Sequence, residues 1–228
     1  LRPCMAHWLG CDEFGRDILS RLLYGARVSL VIQFWAVMIS LAVGTFLGSA
    51  SGYFGGKVDE IVMRLMDVMM AFPGILLALA IVAILGPSLT NLIVAIGINS
   101  VPGFSRVSRG AVISVKKNDY VTAARAIGES DLSILFRYVL PNAISPIIVQ
   151  TTMRMATVLL TAAGLGFLGL GVQPPSPEWG TMLSAARVYL RSAPHVAIIP
   201  GVTIMIVVLG FNFFGDGLQD ALNPRLKE

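Results

Sequence analysis

The chain has 228 residues, of which 55% are hydrophobic and 13% are charged, and its mean hydropathy is +0.77. A typical soluble domain carries about 25% charged residues, so this composition argues against a soluble globular protein with buried helices. The charges are also clustered, because four long stretches contain no Asp, Glu, Lys or Arg: 28–56, 68–105, 155–177 and 192–215. A helix needs about 20 apolar residues to cross a bilayer, so we predict an all-α polytopic membrane protein.

Five transmembrane helices are predicted within one transmembrane domain, 1–228. An external segment, 1–28, comes first, and the predicted spans are 29–51, 68–85, 92–104, 143–168 and 196–214. The Gly-rich stretch GYFGGK ends the first span, and GPSLTN forms a tight turn before the third. The stretch QPPSPEWG is predicted to be a rigid loop, since its prolines cannot continue a helix.

The distribution of Lys and Arg predicts the orientation of these spans, because cytoplasmic loops carry an excess of both residues. One side of the predicted topology holds ten of them and the other side holds six. We therefore expect residues 116–142 and the C-terminus to be cytoplasmic, and the N-terminal segment to lie outside. Cys4 and Cys11 are expected to be free thiols rather than a disulfide.

The stretch YVTAARAIGESDLSILFRYVLPN, 120–142, is too polar to cross a bilayer and too regular to be a passive loop. Asn118 can cap a helix, and Gly128 stands where a helix ends in the left-handed conformation. Ser130 can cap a second helix, which Pro141 would end. The prediction is a helix, a turn and a second helix at the cytoplasmic membrane surface. Spacing alone is equally compatible with a docking element for a soluble partner and with an ordinary interfacial connection.

The pattern Ala123-Ala124, then Gly128, then Leu140-Pro141 resembles the coupling-loop signature of bacterial ABC importer permeases, although Thr122 and Tyr138 depart from it. In that family the loop sits in a cleft of the cytoplasmic ATPase. The resemblance implies the following set of ATPase-coupling residues: Ala123, Ala124, Arg125, Gly128, Glu129, Ser130, Asp131, Leu140 and Pro141.

Four further blocks resemble the dipeptide, oligopeptide and nickel permeases of that family: WLGCDEFGRDILSRLLYGARVSL, GYFGGKVDEIVMRLMDVMMAFP, FLGLGVQPPSPEWGTML and FNFFGDGLQDALNPRLK. The chain looks like the second permease subunit, and TMRMAT and RSAPHVA are most similar to glutathione-type permeases. Family members have a sixth span before the first block, so the resemblance implies that this chain lacks the first span of a six-span core.

The resemblance implies a permease of the bacterial inner membrane that forms half of a translocation pathway. Its implied partners are a homologous permease subunit in a heterodimer, two ATPase subunits, an extracytoplasmic solute-binding protein and membrane lipid, with no nucleic acid. The chain has no phosphate-binding loop, since Gly56-Lys57 is followed by Val58. We therefore expect no enzymatic activity and no cofactor in this chain, with ATP and Mg²⁺ bound by the ATPases.

Arg154 is the one charged residue that we place inside a predicted span, where an unpaired cation is costly. It is expected either to line the pathway and attract an anionic group, or to pair with the partner permease. Gln150, Met153 and Asn99 are weaker pathway candidates. His7 and His195 form a poor metal site, because two histidines without a third ligand rarely bind a metal.

Six residues are candidates for contacting the binding protein: Asp12, Glu13, Arg16, Asp17, Glu178 and Trp179. For the first four, a self-contained capping and salt-bridge cluster at the head of the first span is the favoured alternative. The competing functions are a stand-alone channel, a proton-coupled carrier, and a membrane-anchored scaffold. A carrier usually needs acidic or His relays within its spans, and a scaffold would not need a docking loop.

Overall fold

The computed structural model describes residues 3, 5 and 7–222, and within these ranges the chain is helical without a β-strand. The α-helices are α1 Ile18–Phe54, α2 Gly56–Met70, α3 Gly74–Leu85, α4 Leu89–Val115, α5 Asp119–Ala126, α6 Asp131–Ser133, α7 Ile144–Phe167, α8 Trp179–Ala186 and α9 His195–Leu222. Between α6 and α7 lie a π-helix, Ile134–Val139, and a 3₁₀ turn, Pro141–Ala143.

The first helix begins earlier than the sequence suggested. Helix α1 starts at Ile18, eleven residues before the predicted start of the first span, because Asp17 caps it by accepting a hydrogen bond from the Ser20 N–H at 2.8 Å. Residues 18–28 of the predicted external segment 1–28 thus form the first turns of α1, and the placement of this segment outside stays a prediction. Helix α1 also continues to Phe54, through the first part of the predicted GYFGGK break.

Helices α1 and α4 run parallel and pack closely along a stripe of small residues. Gly44, Gly48 and Gly52 of α1 lie against the α4 backbone between Val101 and Arg109. This spacing of one glycine every four residues places all three on one face of the helix, and such small-residue stripes let membrane helices approach closely. The main buried core combines this pair with one face each of α3 and α7.

The predicted span 68–85 is not a single helix. Helices α2 and α3 are separated by a turn at 71–73 and are bent by 87° relative to each other. Pro73 explains the break, since proline has no N–H to donate and disfavours a helical conformation in the preceding residue. Two ion pairs connect helix α2 with α4, Asp59–Arg109 and Asp67–Arg106, each at 2.6 Å.

Three helical segments are long and apolar enough to cross a membrane: 18–54, 141–167 and 195–222. The bent pair of α2 and α3 makes a fourth if it counts as one span. Helix α4 is not among these segments, although it extends beyond the predicted third span at both ends. The described residues thus support three or four spans, and the count of five stays a prediction.

Candidate coupling and translocation sites

The segment 119–143 has the predicted order of helix, turn and helix. Asn118 occupies the N-cap position of α5, although its side chain makes no capping hydrogen bond. Gly128 ends the first helix with a φ of +88°, in the left-handed region that favours glycine. The Ser130 hydroxyl accepts a hydrogen bond from the Ser133 N–H at 3.3 Å and starts the second helix.

The second helix widens into the π-helix Ile134–Val139, which the sequence did not predict. It ends at Leu140, whose N–H donates to the Leu135 carbonyl oxygen at 2.8 Å. Pro141 follows at the start of a 3₁₀ turn. The predicted end at Pro141 is therefore correct, and the local widening keeps Ile134, Leu135 and Val139 buried while Phe136 faces outward.

Helix α5 has one buried face and one exposed face. Val121 and Ala124 are buried against the end of α1 and α4, whereas Ala123 and Arg125 are exposed. Of the remaining predicted coupling residues, Gly128, Ser130, Asp131 and Pro141 are exposed, and Glu129 and Leu140 are half-buried. Ala124 therefore anchors α5 within the chain, and the other members of the set stay accessible to a partner.

Three large apolar side chains of this segment are exposed, which the sequence did not predict. Ile127 is 79% exposed, Leu132 61% and Phe136 57%. Leu132 and Phe136 border an apolar groove that they share with α1 and α7, and Ile127 stands at the turn between the two helices. The position of Ile127 directly before Gly128, at the tip of the turn, is the sequence signal that could have identified it.

Arg154 of α7 lies against α4. Its guanidinium group packs over Gly103 so closely that a β-carbon at Gly103 would overlap Nη2. No carboxylate among the described residues forms an ion pair with Arg154. Asn99, one turn before Gly103 on α4, contacts Gly74 at the start of α3. Asn99 and Gly103 are four residues apart and share one face of α4. The Arg154 guanidinium group therefore lies against the face of α4 that carries Asn99.

The other two pathway candidates, Gln150 and Met153, point in different directions from α7. Gln150 stands four residues before Arg154 and shares its face of the helix. Met153 points elsewhere, since it packs on Gly215 of α9, where a β-carbon would be 3.5 Å from the Met153 Cγ. The structure therefore does not bring Met153 together with Arg154, and a methionine at a helix interface is typically a filler of irregular space.

The acidic and basic residues before α1 form a self-contained cluster, as the favoured alternative predicted. Asp12 binds Arg16 at 2.6 Å and Arg21 at 3.4 Å. Glu13 lies 3.8 Å from Arg16. Asp17 caps α1 and accepts a hydrogen bond from His7 at 3.0 Å, and the capping N–H of Ser20 is the main reason why the pKa of Asp17 is lowered.

Glu178 and Trp179 are not available to contact a binding protein, because both are buried, at 1% and 2% exposure. The Glu178 carboxylate accepts hydrogen bonds from the Gly180 and Thr181 N–H groups at 2.8 Å and so caps α8. Burial raises the pKa of Glu178, against the opposing effect of these donors. The Trp179 Nε1–H donates to the Leu22 carbonyl oxygen at 3.0 Å. Through these contacts the two residues hold the stretch QPPSPEWG against α1.

The described residues contain no group of three or more His, Cys, Asp or Glu that could hold a metal ion. His7 is engaged by Asp17, and His195 begins α9. Cys11 is buried. Cys4 lies outside the described residues, so the expected free thiols stay a prediction. The C-terminus, 223–228, also lies outside them, and its cytoplasmic placement stays a prediction in the same way.

The chain is similar to a known protein family and to individual permeases. Residues 44–228 match the family described as binding-protein-dependent transport system inner membrane component. The chain is 53% identical over 225 residues to the dipeptide transport system permease protein DppC of Alkalihalophilus pseudofirmus, covering 99% of this chain and 74% of that protein. It is 51% identical over 225 residues to the glutathione transport system permease protein GsiD of Pectobacterium atrosepticum, covering 99% of this chain and 75% of that protein.

Two solved structures have the same fold. The inward-facing MetNI methionine ABC transporter matches with a TM-score of 0.69 at 21% identity, over 93% of this chain and 99% of that chain. An amino acid ABC transporter matches with a TM-score of 0.66 at 16% identity, over 89% of this chain and 94% of that chain. At these identities the likeness concerns the fold alone.

Proposed function

We propose, from the fact that this chain belongs to the family of binding-protein-dependent transport system inner membrane components, that its cargo is a peptide or a peptide-like solute. The chain is a permease subunit of a binding-protein-dependent ABC importer. The observation that carries the choice of cargo is the 50–53% identity to dipeptide and glutathione permeases over nearly the whole chain.

Energy for transport would come from a separate ATPase through the segment 116–142. The exposed face of α5 supports this role, because Ala123 leaves it thin and Ile127 adds exposed apolar area at the turn directly after the helix. Buried apolar contact drives most protein association. In this proposal two ATPase subunits bind ATP and Mg²⁺, this segment and the C-terminus are cytoplasmic, and the permease itself hydrolyses nothing.

The permease would work as a heterodimer with a homologous subunit, in contact with membrane lipid, and would receive cargo from an extracytoplasmic binding protein. In the cluster before α1, Glu13 is exposed and Arg16 is half-buried, and we assign both to the surface that meets the binding protein. Arg154 and Asn99 are assigned to the pathway because Arg154 packs on Gly103, one turn after Asn99 on α4, and Gln150 because it shares the face of α7 with Arg154. A half-buried guanidinium would attract the carboxylate of a peptide.

The coupling role is tested by co-purification of the tagged permease with its co-encoded ATPase. The variant is Gly128→Asp, and the matched control is Gly15→Asp, since both glycines are exposed, have positive φ and leave open space for a side chain. The wild type and the control should retain the ATPase, and Gly128→Asp should lose it while still eluting as a folded complex.

The same experiment separates the importer from the competing functions. If no ATPase co-purifies with the wild type, the chain does not couple to one, and a stand-alone channel or secondary carrier becomes the better explanation. If Gly128→Asp retains the ATPase as well as the control does, the segment 116–142 is an ordinary membrane-surface connection.

A further inference from the structure

Tyr53, in the last turn of α1, is the point at which that helix meets the segment 119–140. Its side chain is 2% exposed and packs in a cluster with Val112 of α4, Val121 and Ala124 of α5, and Ile134 of the π-helix. The aromatic ring is therefore enclosed by elements from both sides of the turn at Gly128.

The Tyr53 hydroxyl joins two charged residues of the segment. It donates a hydrogen bond to Asp131 Oδ1 at 2.7 Å and accepts one from Arg125 Nη2 at 3.5 Å. Arg125 and Asp131 are themselves 3.9 Å apart. One residue comes from α5 and the other from α6, so the hydroxyl connects both helices to the end of α1.

The backbone and ring of Tyr53 are held from the other side by the end of α4. The Tyr53 carbonyl oxygen accepts a hydrogen bond from Lys116 Nζ, and the same ammonium group lies 5.2 Å from the centre of the ring. A cation at this distance is attracted by the face of an aromatic ring. Tyr53 is thus fixed at the end of α4 while its hydroxyl reaches the segment 119–140.

The Tyr53 hydroxyl provides the side-chain hydrogen bonds between the segment 119–140 and the preceding helices. Among the described residues, every side-chain hydrogen bond between the segment 119–140 and the helices before it involves the Tyr53 hydroxyl. The remaining contacts in the cluster are apolar and non-directional, whereas a hydrogen bond to a charged group is directional. A displacement of the segment relative to α1 would therefore change the geometry of the hydrogen bonds at this hydroxyl.

We propose that Tyr53 is a positioning residue that transmits movement of the segment 119–140 to α1 through its hydrogen bonds to Asp131 and Arg125. The inference rests on the proposed coupling role of the segment. Loss of the hydroxyl would leave the ATPase bound, since Tyr53 is buried beneath the exposed face, but would uncouple ATP hydrolysis from the opening and closing of the helix bundle.

The test uses the whole importer, reconstituted in proteoliposomes with its partner permease, ATPases and binding protein. Uptake of alanyl-alanine and of glutathione is measured together with ATP hydrolysis, and the readout is solute taken up per ATP hydrolysed. The variant is Tyr53→Phe. The control is Tyr138→Phe, because Tyr138 packs against the same cluster and its hydroxyl has no hydrogen bond among the described residues.

Tyr53→Phe should reduce uptake per ATP by about fivefold, at the lower end of typical coupling between sites, with the ATPase still bound. Tyr138→Phe should match the wild type. Equal uptake per ATP in Tyr53→Phe and Tyr138→Phe would overturn the inference alone. A wild-type complex that takes up neither solute would overturn the proposed function and this inference with it.

Discussion

Gly48 of α1 lies so close to Ser105 of α4 that a β-carbon at Gly48 would overlap the Ser105 carbonyl oxygen. Gly44 and Gly52 make comparably close approaches one turn to either side, the first to Phe104 and Val101 and the second to Arg109. The contact involves backbone atoms, which cannot rotate away as the end of a side chain can. The parallel pairing of α1 and α4 therefore depends on the absence of side chains along this stripe.

Gly48→Ala should destabilise the permease by about 1–3 kcal/mol, the usual range when a methyl group is forced into a close-packed interface. The measurement is thermal unfolding of the purified complex in detergent. Gly110→Ala is the control, because Gly110 is in α4 but faces open space where its β-carbon would lie. Alanine has a higher helix propensity than glycine, so the control should be neutral or stabilising. Equal melting temperatures for the two variants would refute the role of the stripe.

The segment 116–142 was predictable because its signals are local. An acceptor side chain before a helix, a glycine at its end and a proline after the next helix act within a few residues of where they stand. The structure confirms the cap by Ser130, the left-handed Gly128 and the boundary at Pro141. The spacing of Gly44, Gly48 and Gly52 is an equally local signal, and it is typical of a helix face that packs closely on another helix.

The features that were missed depend on residues distant in sequence. Glu178 was assigned to an outer surface, yet it is buried because Gly166 has no side chain and admits the carboxylate, and because Ser29 donates to it at 3.4 Å. Helix α2 is bent by 87° relative to α3 at Pro73, and its Asp59 and Asp67 form ion pairs with α4. Neither set of partners can be read from the local sequence.

Arg154→Gln should reduce uptake of a peptide with a free carboxylate about tenfold while leaving ATPase binding intact, because it removes a cation that would attract that carboxylate. The measurement is uptake of alanyl-alanine compared with its C-terminal amide in proteoliposomes. The amide should be affected much less. Equal losses for both solutes would mean that Arg154 serves the packing of α7 on α4 rather than the cargo.

Glu178→Gln should change how stability depends on pH. Because burial raises the pKa of Glu178, the folded protein keeps a proton at pH values where the unfolded chain has already released it, above about pH 4.3. The wild type therefore loses stability as the pH rises from the unfolded pKa through the raised folded pKa. Glutamine cannot ionise, so the melting temperature of the variant relative to the wild type should increase with pH across this window. A difference that stays constant or decreases with pH would contradict burial as the dominant influence on this carboxyl group.

The two ion pairs between α2 and α4 should differ in their importance, although both are 2.6 Å long. Arg109 donates to both oxygens of Asp59, and the two side chains are 35% and 24% exposed. Arg106 donates to one oxygen of Asp67, and those side chains are 47% and 60% exposed. Exposed pairs contribute little because solvent and salt screen them, whereas a two-pronged guanidinium–carboxylate pair holds a defined geometry that lysine cannot reproduce.

Arg109→Lys should therefore destabilise the complex by about 0.5–1 kcal/mol, and Arg106→Lys should leave its melting temperature unchanged. The comparison is made by thermal unfolding at low and high salt. The Asp59 pair has a further support, because the Ser51 hydroxyl also donates to Asp59 at 2.6 Å. If Arg106→Lys is as harmful as Arg109→Lys, the bend between α2 and α3 is held by both ion pairs alike and not mainly by the one next to Ser51.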